Sequence, residues 1–433
     1  MLCLAAIVAP TAKILDLANP TAKMSKSASA PAGVLDLLAP TLATDGLVLE
    51  LGGAARVLGL KAGDDGSLLL QPPDRQQRVA LGERLGIGTE TRLPQRGTIG
   101  KAAGARRRQP QRTAPRNCDK KPFAGEKLFN PYEGIDSNYW RKGNFQIQSE
   151  AWGGVTDGRK NSNEAIDSLY KLLGYEVITI SDYQKINRYG EERDSYIPVY
   201  EHGYGIYKNH NVMIGAERVV WKDYPLIHTI HHKQHMMNVL RPTSELIFIA
   251  HPKYAGGWIP EDMTWVTNYD GIEVLNGFRE SFAHWDAALS AGKNMRILSN
   301  DDAHDISNIN ELGRYATLIW SPLKNGDSMV SAIKQGKAFG VSIWRPWGES
   351  WEVKMEKLHN LPKLTNAELV GDTLVVAVNK TASKFRFVGQ EGMLLDSLEN
   401  TKEASYVIRD TNTYVRTEII FTNKTTSSQN EVI

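Results

Sequence analysis

Cysteine is almost missing from this chain. Cys3 and Cys118 are the only two in 433 residues, which excludes a disulfide framework and a cysteine-built zinc site. No run of 18 apolar residues occurs, which excludes a membrane-spanning helix. Aromatic residues are absent from the first 122 positions: all 36 lie at Phe123 or later, and the first histidine is His202. A stretch without large aromatic anchors has little to pack a core around, and its runs QPPDRQQR and ARRRQPQR read as solvated and flexible. The formal charge of +2 conceals a division, because residues 1–117 carry 16 Lys/Arg against 9 Asp/Glu while 118–433 carry 35 against 40. Arg106, Arg107 and Arg108 read as a basic linker rather than a nucleic-acid patch, since no aromatic platform accompanies them. Gly100-Lys101-Ala102 lacks the spacing and the Ser/Thr of a P-loop.

From about residue 140 the chain reads as strands alternating with helices. FQIQ (145–148), VITI (177–180), YIPVY (196–200), NVMIGA (211–216), LIFIA (246–250), GIEVLNG (271–277), MRILS (295–299) and ATLIW (316–320) are short strand-like runs. Between them, Asn161 with Glu164 forms a capping box ahead of apolar residues at helical spacing that stop at Gly174, and further helices run through HWDAALSAG and SMVSAIKQGKAFG. Strands of this kind interleaved with helices predict a parallel sheet, open or closed into a barrel. Alternating strands from about residue 345 predict a small antiparallel β domain.

The polar residues fall where such a sheet builds its sites. Asp182, Glu201, His251, Asp302 and His304 each follow the C-terminal end of an apolar run, the face on which αβ barrels assemble active sites. Carboxylates and imidazoles converging there suit a divalent cation, oxygen ligands favouring Mg or Mn and imidazole favouring Zn, Fe or Mn. Pro252 is expected to hold His251 extended, and Asp302 and His304, two apart, point to one side if that segment is extended. His228, His231, His232 and His235 lie at 0, 3, 4 and 7, a helical stripe that binds a metal or is simply a polar helix face. His210 reads as a hydrogen-bonded residue at a strand start. Lys253 and Arg279 are candidate phosphate-binding groups at the same rim.

The stretch GNFQIQSE…VTDG…LGYEVITISDYQ…IPVYEHG…HNVMIGA…IFIAHP…GIEVLNG…LSNDDAHD…SAIKQGKAFG resembles the PHP (polymerase and histidinol phosphatase) family over more than 200 residues. The resemblance implies a distorted (βα)7 TIM-like barrel over 140–344 with a β-rich accessory domain over 345–433; composition sets apart a linker over 118–139 and a foreign, largely unstructured segment over 1–117. The resemblance also implies a metal site of Asp157, Glu201, His251, Asp302 and His304, with Glu201, Asp302 and His304 as the catalytic groups. The chain departs from the family pattern at the opening His-x-His pair, here Gln146 and Gln148, and at the Thr-Asp-His motif, here ending in Tyr183. An amide oxygen is a poorer ligand than imidazole, and a tyrosine must give up a proton with a pKa near 10 to bind well. The implied cofactor is therefore a divalent ion (Mn, Zn, Fe or Mg), fewer than three per chain.

Two functions follow from this resemblance. One is a metal-dependent phosphoesterase that cleaves a phosphomonoester or phosphodiester, on a small molecule or an oligonucleotide, with a metal-activated water. The other is an inactive PHP pseudoenzyme acting as a binding module. Separately, LANPTAKMSKSASAPAGVLDLL resembles the KMSKS region of tryptophanyl-tRNA synthetases at Lys23, Met24, Ser25, Lys26 and Ser27. With 22 residues before it and no HIGH-type motif, it reads as a remnant without ligase activity. Asn117-Cys118-Asp119 has the look of a lipoprotein's first mature residues, so the chain is expected to be cytoplasmic as written and exported in a native form.

Overall fold

The computed structural model describes residues 2–8, 47–51, 54–62, 68–71 and 128–421, the last range apart from 153–157, 159, 227 and 346–347. The synthetase-like stretch, the arginine cluster, Cys118 and Asp157 lie outside the described residues. Residues 14–118 form one compact unit, and residues 1–13 with 119–433 form another. Within 1–117 the described residues are strands: β1 (Leu2–Val8), β2 (Leu47–Leu51), β3 (Ala54–Ala62) and β4 (Leu68–Gln71). β2, β3 and β4 make a small antiparallel sheet in the first unit.

The second unit carries the rest. β5 (Trp140–Asn144) leads through Phe145–Gln148 to helix α1 (Asn163–Leu172) and then β6 (Val177–Ile178). β7 (Val199–His202), β8 (Asn211–Ala216), α2 (Ile230–Leu240) and β9 (Ser244–Ile249) follow. Next come α3 (Asp262–Trp265), β10 (Gly271–Asn276), α4 (Phe282–Ser290), β11 (Arg296–Asn300), β12 (Tyr315–Trp320), α5 (Gly326–Lys334) and β13 (Ala338–Ser342). Helix α6 (Trp351–His359) precedes β14 (Leu364–Val370), β15 (Thr373–Val388), β16 (Leu394–Val407) and β17 (Tyr414–Ile420).

One sheet runs β14-β15-β17-β1-β13-β12-β5-β6 with β16 on β15, and another runs β11-β10-β9-β8-β7. The strands from β9 to β11 are parallel, as the sequence leads one to expect, but β7, β8 and β9 pair antiparallel. For β7 and β8 chain length is the reason. Only residues 203–210 join β7 to β8, and a parallel crossover needs a dozen residues or more. Beyond the ends of β6 and β11, Tyr183 pairs with Glu201 and Ile147 with Ala303, each through a single parallel bridge. Through these bridges every strand from β5 to β11 lies beside its neighbour in sequence, and β11 returns to the chain beyond β5.

Side chains from these strands and from β12 meet in one apolar cluster that includes Phe145, Val177, Val199, Val212, Leu246, Phe248, Leu298 and Ile319. Each fully buried aliphatic or Phe side chain contributes about 1.5–3 kcal/mol, so this plug holds the strand ends that carry the site. The helix after β5 begins one residue later than its sequence signal. Ser162 is the N-cap, and Asn161 instead donates to the carbonyls of Gln148 (2.8 Å) and His304 (3.0 Å). α5 ends at Lys334, with Gly336 at φ +81°, so the run AFG belongs to β13 and not to the expected helix. The C-terminal strands are tied to α4 by Arg416, whose guanidinium donates to both carboxylate oxygens of the buried Asp286 at 2.7 and 2.9 Å.

Candidate metal centre

The antiparallel β7–β8–β9 arrangement builds the centre. Glu201 lies at the C-terminal end of β7, and His210 directly precedes β8, which starts at that same edge. β9 runs against β8 and ends there too, with Asn211 opposite Ile249, so His251 emerges alongside His210. Glu201, His210 and His251 are all buried, and one potential ligand atom from each lies within 4.8 Å of the other two. Among the described residues this is the group able to hold a metal ion. Gly203 permits the closure: it sits at φ +121°, and a Cβ there would come within 2.9 Å of the His210 ring. His251 and Asp302 are both at positive φ, 28° and 52°. Neither segment is extended as the sequence suggests, and backbone of this kind costs about 1–3 kcal/mol per residue and gathers at functional sites.

Electrostatics knit the cluster together. Burial alone would push the Glu201 carboxyl up, but the His210 and His251 imidazoles outweigh it and hold Glu201 well below the usual carboxylate range. Burial pulls His210 down despite Glu201. Burial also opposes charge on His251, yet its hydrogen bond to Glu201 and the negative charge of Asp302 raise it to about 9. The direction we adopt is therefore an ionised Glu201, a neutral His210 and the shared proton on His251. In that tautomer His210 donates from Nδ1 to Glu201 Oε1 at 2.5 Å, and His251 Nε2 approaches the same oxygen at 3.2 Å.

Asp302 and His304 stand next to this corner, Asp302 Oδ1 lying 3.5 Å from His304 Nε2. Burial and the charge of Glu201 push the Asp302 carboxyl up. Glu273, which the sequence reading passes over, is wholly buried and accepts from His251 N (2.9 Å), Asn276 Nδ2 (2.9 Å) and Asn300 Nδ2 (2.8 Å). Burial, with Asp302 nearby, pushes Glu273 up to about 8. A single carboxylate inside the apolar run GIEVLNG is the signal that could have found it. His210 is likewise more than a strand-start residue, and its signal is the hairpin-length link after Glu201.

The remaining expectations divide. Gln148 donates to Glu201 Oε2 at 2.8 Å and to the Ser181 carbonyl at 2.9 Å, so an amide N–H occupies one carboxylate oxygen on that side. Tyr183 places its ring 5.4 Å from His210 and stacks 6.3 Å from His304. Asp182 is committed elsewhere, accepting from Ser149 N and Oγ and from Asn187 Nδ2 at 2.8–2.9 Å. Lys253 and Arg279 are exposed, and Arg279 donates to the Phe278 carbonyl at 2.8 Å. The histidine stripe on and before α2 gathers round Tyr224: His232 stacks on its ring at 4.1 Å, His235 Nδ1 meets its hydroxyl at 3.0 Å, and His228 meets its carbonyl.

Buried polar atoms left without a hydrogen-bond partner test whether a cation fits. They include His210 Nε2, His251 Nδ1, Asp302 Oδ1, His304 Nδ1, Gln148 Oε1 and both polar atoms of Gln146. Unpaired buried groups are rare because each costs free energy, and four of these seven are imidazole or carboxylate atoms of a kind that ligates Zn, Mn or Fe. The Glu201–His210–His251 corner fits a divalent ion. The Gln146–Gln148 side fits one less well, since the Gln148 N–H already holds Glu201 Oε2 and what remains is neutral amide oxygen, a poorer ligand than imidazole.

No family model matches this chain, and no curated protein matches it. It is similar to a solved structure from Bacteroides vulgatus, a two-domain protein containing a predicted PHP-like metal-dependent phosphoesterase, at 14% identity and a TM-score of 0.35. The match covers 69% of this chain and 93% of that one. Likeness at that level decides neither fold nor activity. Among the described residues no helix is long and apolar enough to cross a membrane.

Proposed function

We propose that this protein is a PHP-type metal-dependent phosphoesterase with a reduced metal site, cleaving a phosphomonoester or phosphodiester. The observation that carries the reading is the buried meeting of Glu201, His210 and His251, one ligand atom of each within 4.8 Å of the other two, with the far ring nitrogen of each histidine unpaired. A distorted (βα)7 barrel is part of the proposal. Its support is the chain of pairings from β5 through β11, completed by the two single bridges at Glu201 and Ala303. On this reading Glu201, His210 and His251 hold one cation. Such an ion makes a water more acidic and draws charge from a phosphoryl oxygen. Asp302 and His304, within reach of each other, hold and pass a proton beside it, while Lys253 and Arg279 offer positive charge at the rim.

A second reading, an inactive binding module, is favoured by one contact: the Gln148 amide already satisfies Glu201 Oε2. Metal analysis of the purified protein, with hydrolysis of p-nitrophenyl phosphate and bis-p-nitrophenyl phosphate, separates the two. One ion per chain with metal-dependent turnover supports the esterase. One ion without turnover supports the binding module, and no bound ion with no turnover removes the esterase alone.

A further inference from the structure

One wall of the cluster is built of aromatic rings that the chemistry above does not use. The Tyr183 ring, stacked on His304, faces the metal corner, and its backbone carbonyl accepts a hydrogen bond from the Trp152 indole at 2.7 Å. Trp152 meets Trp221 edge to face at 6.3 Å. Trp221 is fixed in turn, its carbonyl accepting from the Tyr204 hydroxyl at 3.1 Å. Yet Trp152 is 37% exposed and Trp221 61%. Opposite them, Phe278 lies 5.7 Å from His304 and 5.0 Å from Tyr254. The Lys185 ammonium stands 5.7 Å from the Trp152 ring centre, placing positive charge beside the platform.

Indoles left in water forgo the burial that makes aromatic residues useful in a core. These two are held in position from separate segments, and Trp152 is anchored to the very residue that packs on the metal corner. We propose that Trp152 and Trp221 are a stacking platform for the flat ring of an aryl or heteroaryl phosphoester whose phosphoryl group sits at the Glu201 corner. The proposal rests on the phosphoesterase reading for the position of the phosphoryl group. The charges agree: an anionic ester is drawn by Lys185 on one side and by the cation on the other, and an open-chain phosphate offers the rings nothing to stack on. Stacking on an aromatic side chain is worth roughly a tenfold gain in affinity.

Isothermal titration of the Mn-loaded full chain with phenyl phosphate, adenosine 5′-monophosphate, ribose 5-phosphate and inorganic phosphate tests this. At least one of the two ring-bearing esters should bind about tenfold more tightly than ribose 5-phosphate, and which of them does so identifies the source of the ring. Trp221→Ala should erase that preference while leaving inorganic phosphate binding unchanged, and Trp152→Phe, which keeps a ring, should retain most of it. Equal binding of ring-bearing and ring-free phosphates, or a preference that survives Trp221→Ala, overturns the platform. A ring preference without hydrolysis of any ester overturns the esterase reading and supports the platform. Metal-dependent hydrolysis without ring preference does the reverse, and no binding by any of the four overturns the platform.

Discussion

Two histidine-rich regions of this protein share a residue type and little else. His228, His231, His232 and His235 are crowded into eight positions; His231, His232 and His235 lie toward the surface, His232 and His235 are drawn to a tyrosine, a lysine and a helix cap, and only the His228 side chain is buried, beside Asp223. His210, His251 and His304 are spread over 95 positions and meet beside the buried Glu201, Glu273 and Asp302, each histidine with a ring nitrogen that has no hydrogen-bond partner. Density in sequence is therefore a poor guide to a metal site. What matters is burial next to carboxylates, where the cost of unpaired donors and like charges is high and a cation relieves it.

The sharpest way to break this contrast is to delete one member of each region. Glu201→Ala should abolish stoichiometric metal and lower ester hydrolysis by more than about 100-fold, whereas His231→Ala with His235→Ala should leave both unchanged; metal analysis and initial rates read the result. A metal content that follows the surface histidines instead would reverse the comparison. Gly203→Ala should come next, because its new Cβ meets the His210 ring and shifts a ligand without removing it. The expected loss is about 10–100-fold in Mn affinity, of the size seen when the supports of a metal ligand are disturbed, with unchanged far-ultraviolet circular dichroism.

Gln146→His with Gln148→His replaces the amide that now donates to Glu201 and should raise the metal count by one ion per chain. An unchanged count would mean that the opposite side of the pocket cannot close on a cation. The smallest effect is on pH dependence. Without metal, folded His251 keeps its proton up to about pH 9 rather than 6.5, and Glu273 keeps its proton up to about 8 rather than 4.5. The folded state then binds more protons than the unfolded state through neutral pH, so stability falls as pH rises, between 4.5 and 8 through Glu273 and between 6.5 and 9 through His251. The decline should be on the order of a few kcal/mol, several degrees in Tm. Thermal unfolding in chelator should show it, and saturating Mn should flatten it because a bound cation replaces the protons. A Tm that rises with pH in chelator would contradict the assignment of the shared proton to His251.

Much of the layout was legible from residues alone. The apolar runs at 211–216, 271–276 and 316–320 are strands, Gly174 and Gly292 end their helices at φ +76° and +78°, and Glu201, His251, Asp302 and His304 do gather. These signals are local: apolar periodicity, turn chemistry and polar residues at strand ends act over a few residues. Strand direction was not legible from periodicity, because a two-residue repeat is the same in parallel and antiparallel pairs; only the short link at 203–210 carried that information.

By itself the sequence determined which segments become strands and helices, where the charges divide, and that acid and imidazole groups stand at strand ends, because local backbone preference and burial pattern depend on near neighbours. Tertiary structure alone decided that His210 joins Glu201, that Glu273 lies beneath His251, that Gln148 occupies a carboxylate oxygen, and that the clustered histidines on the α2 side are spent on Tyr224. Those outcomes depend on strand direction and on desolvation by residues far away in the chain, and both exist only once the strands have paired and packed.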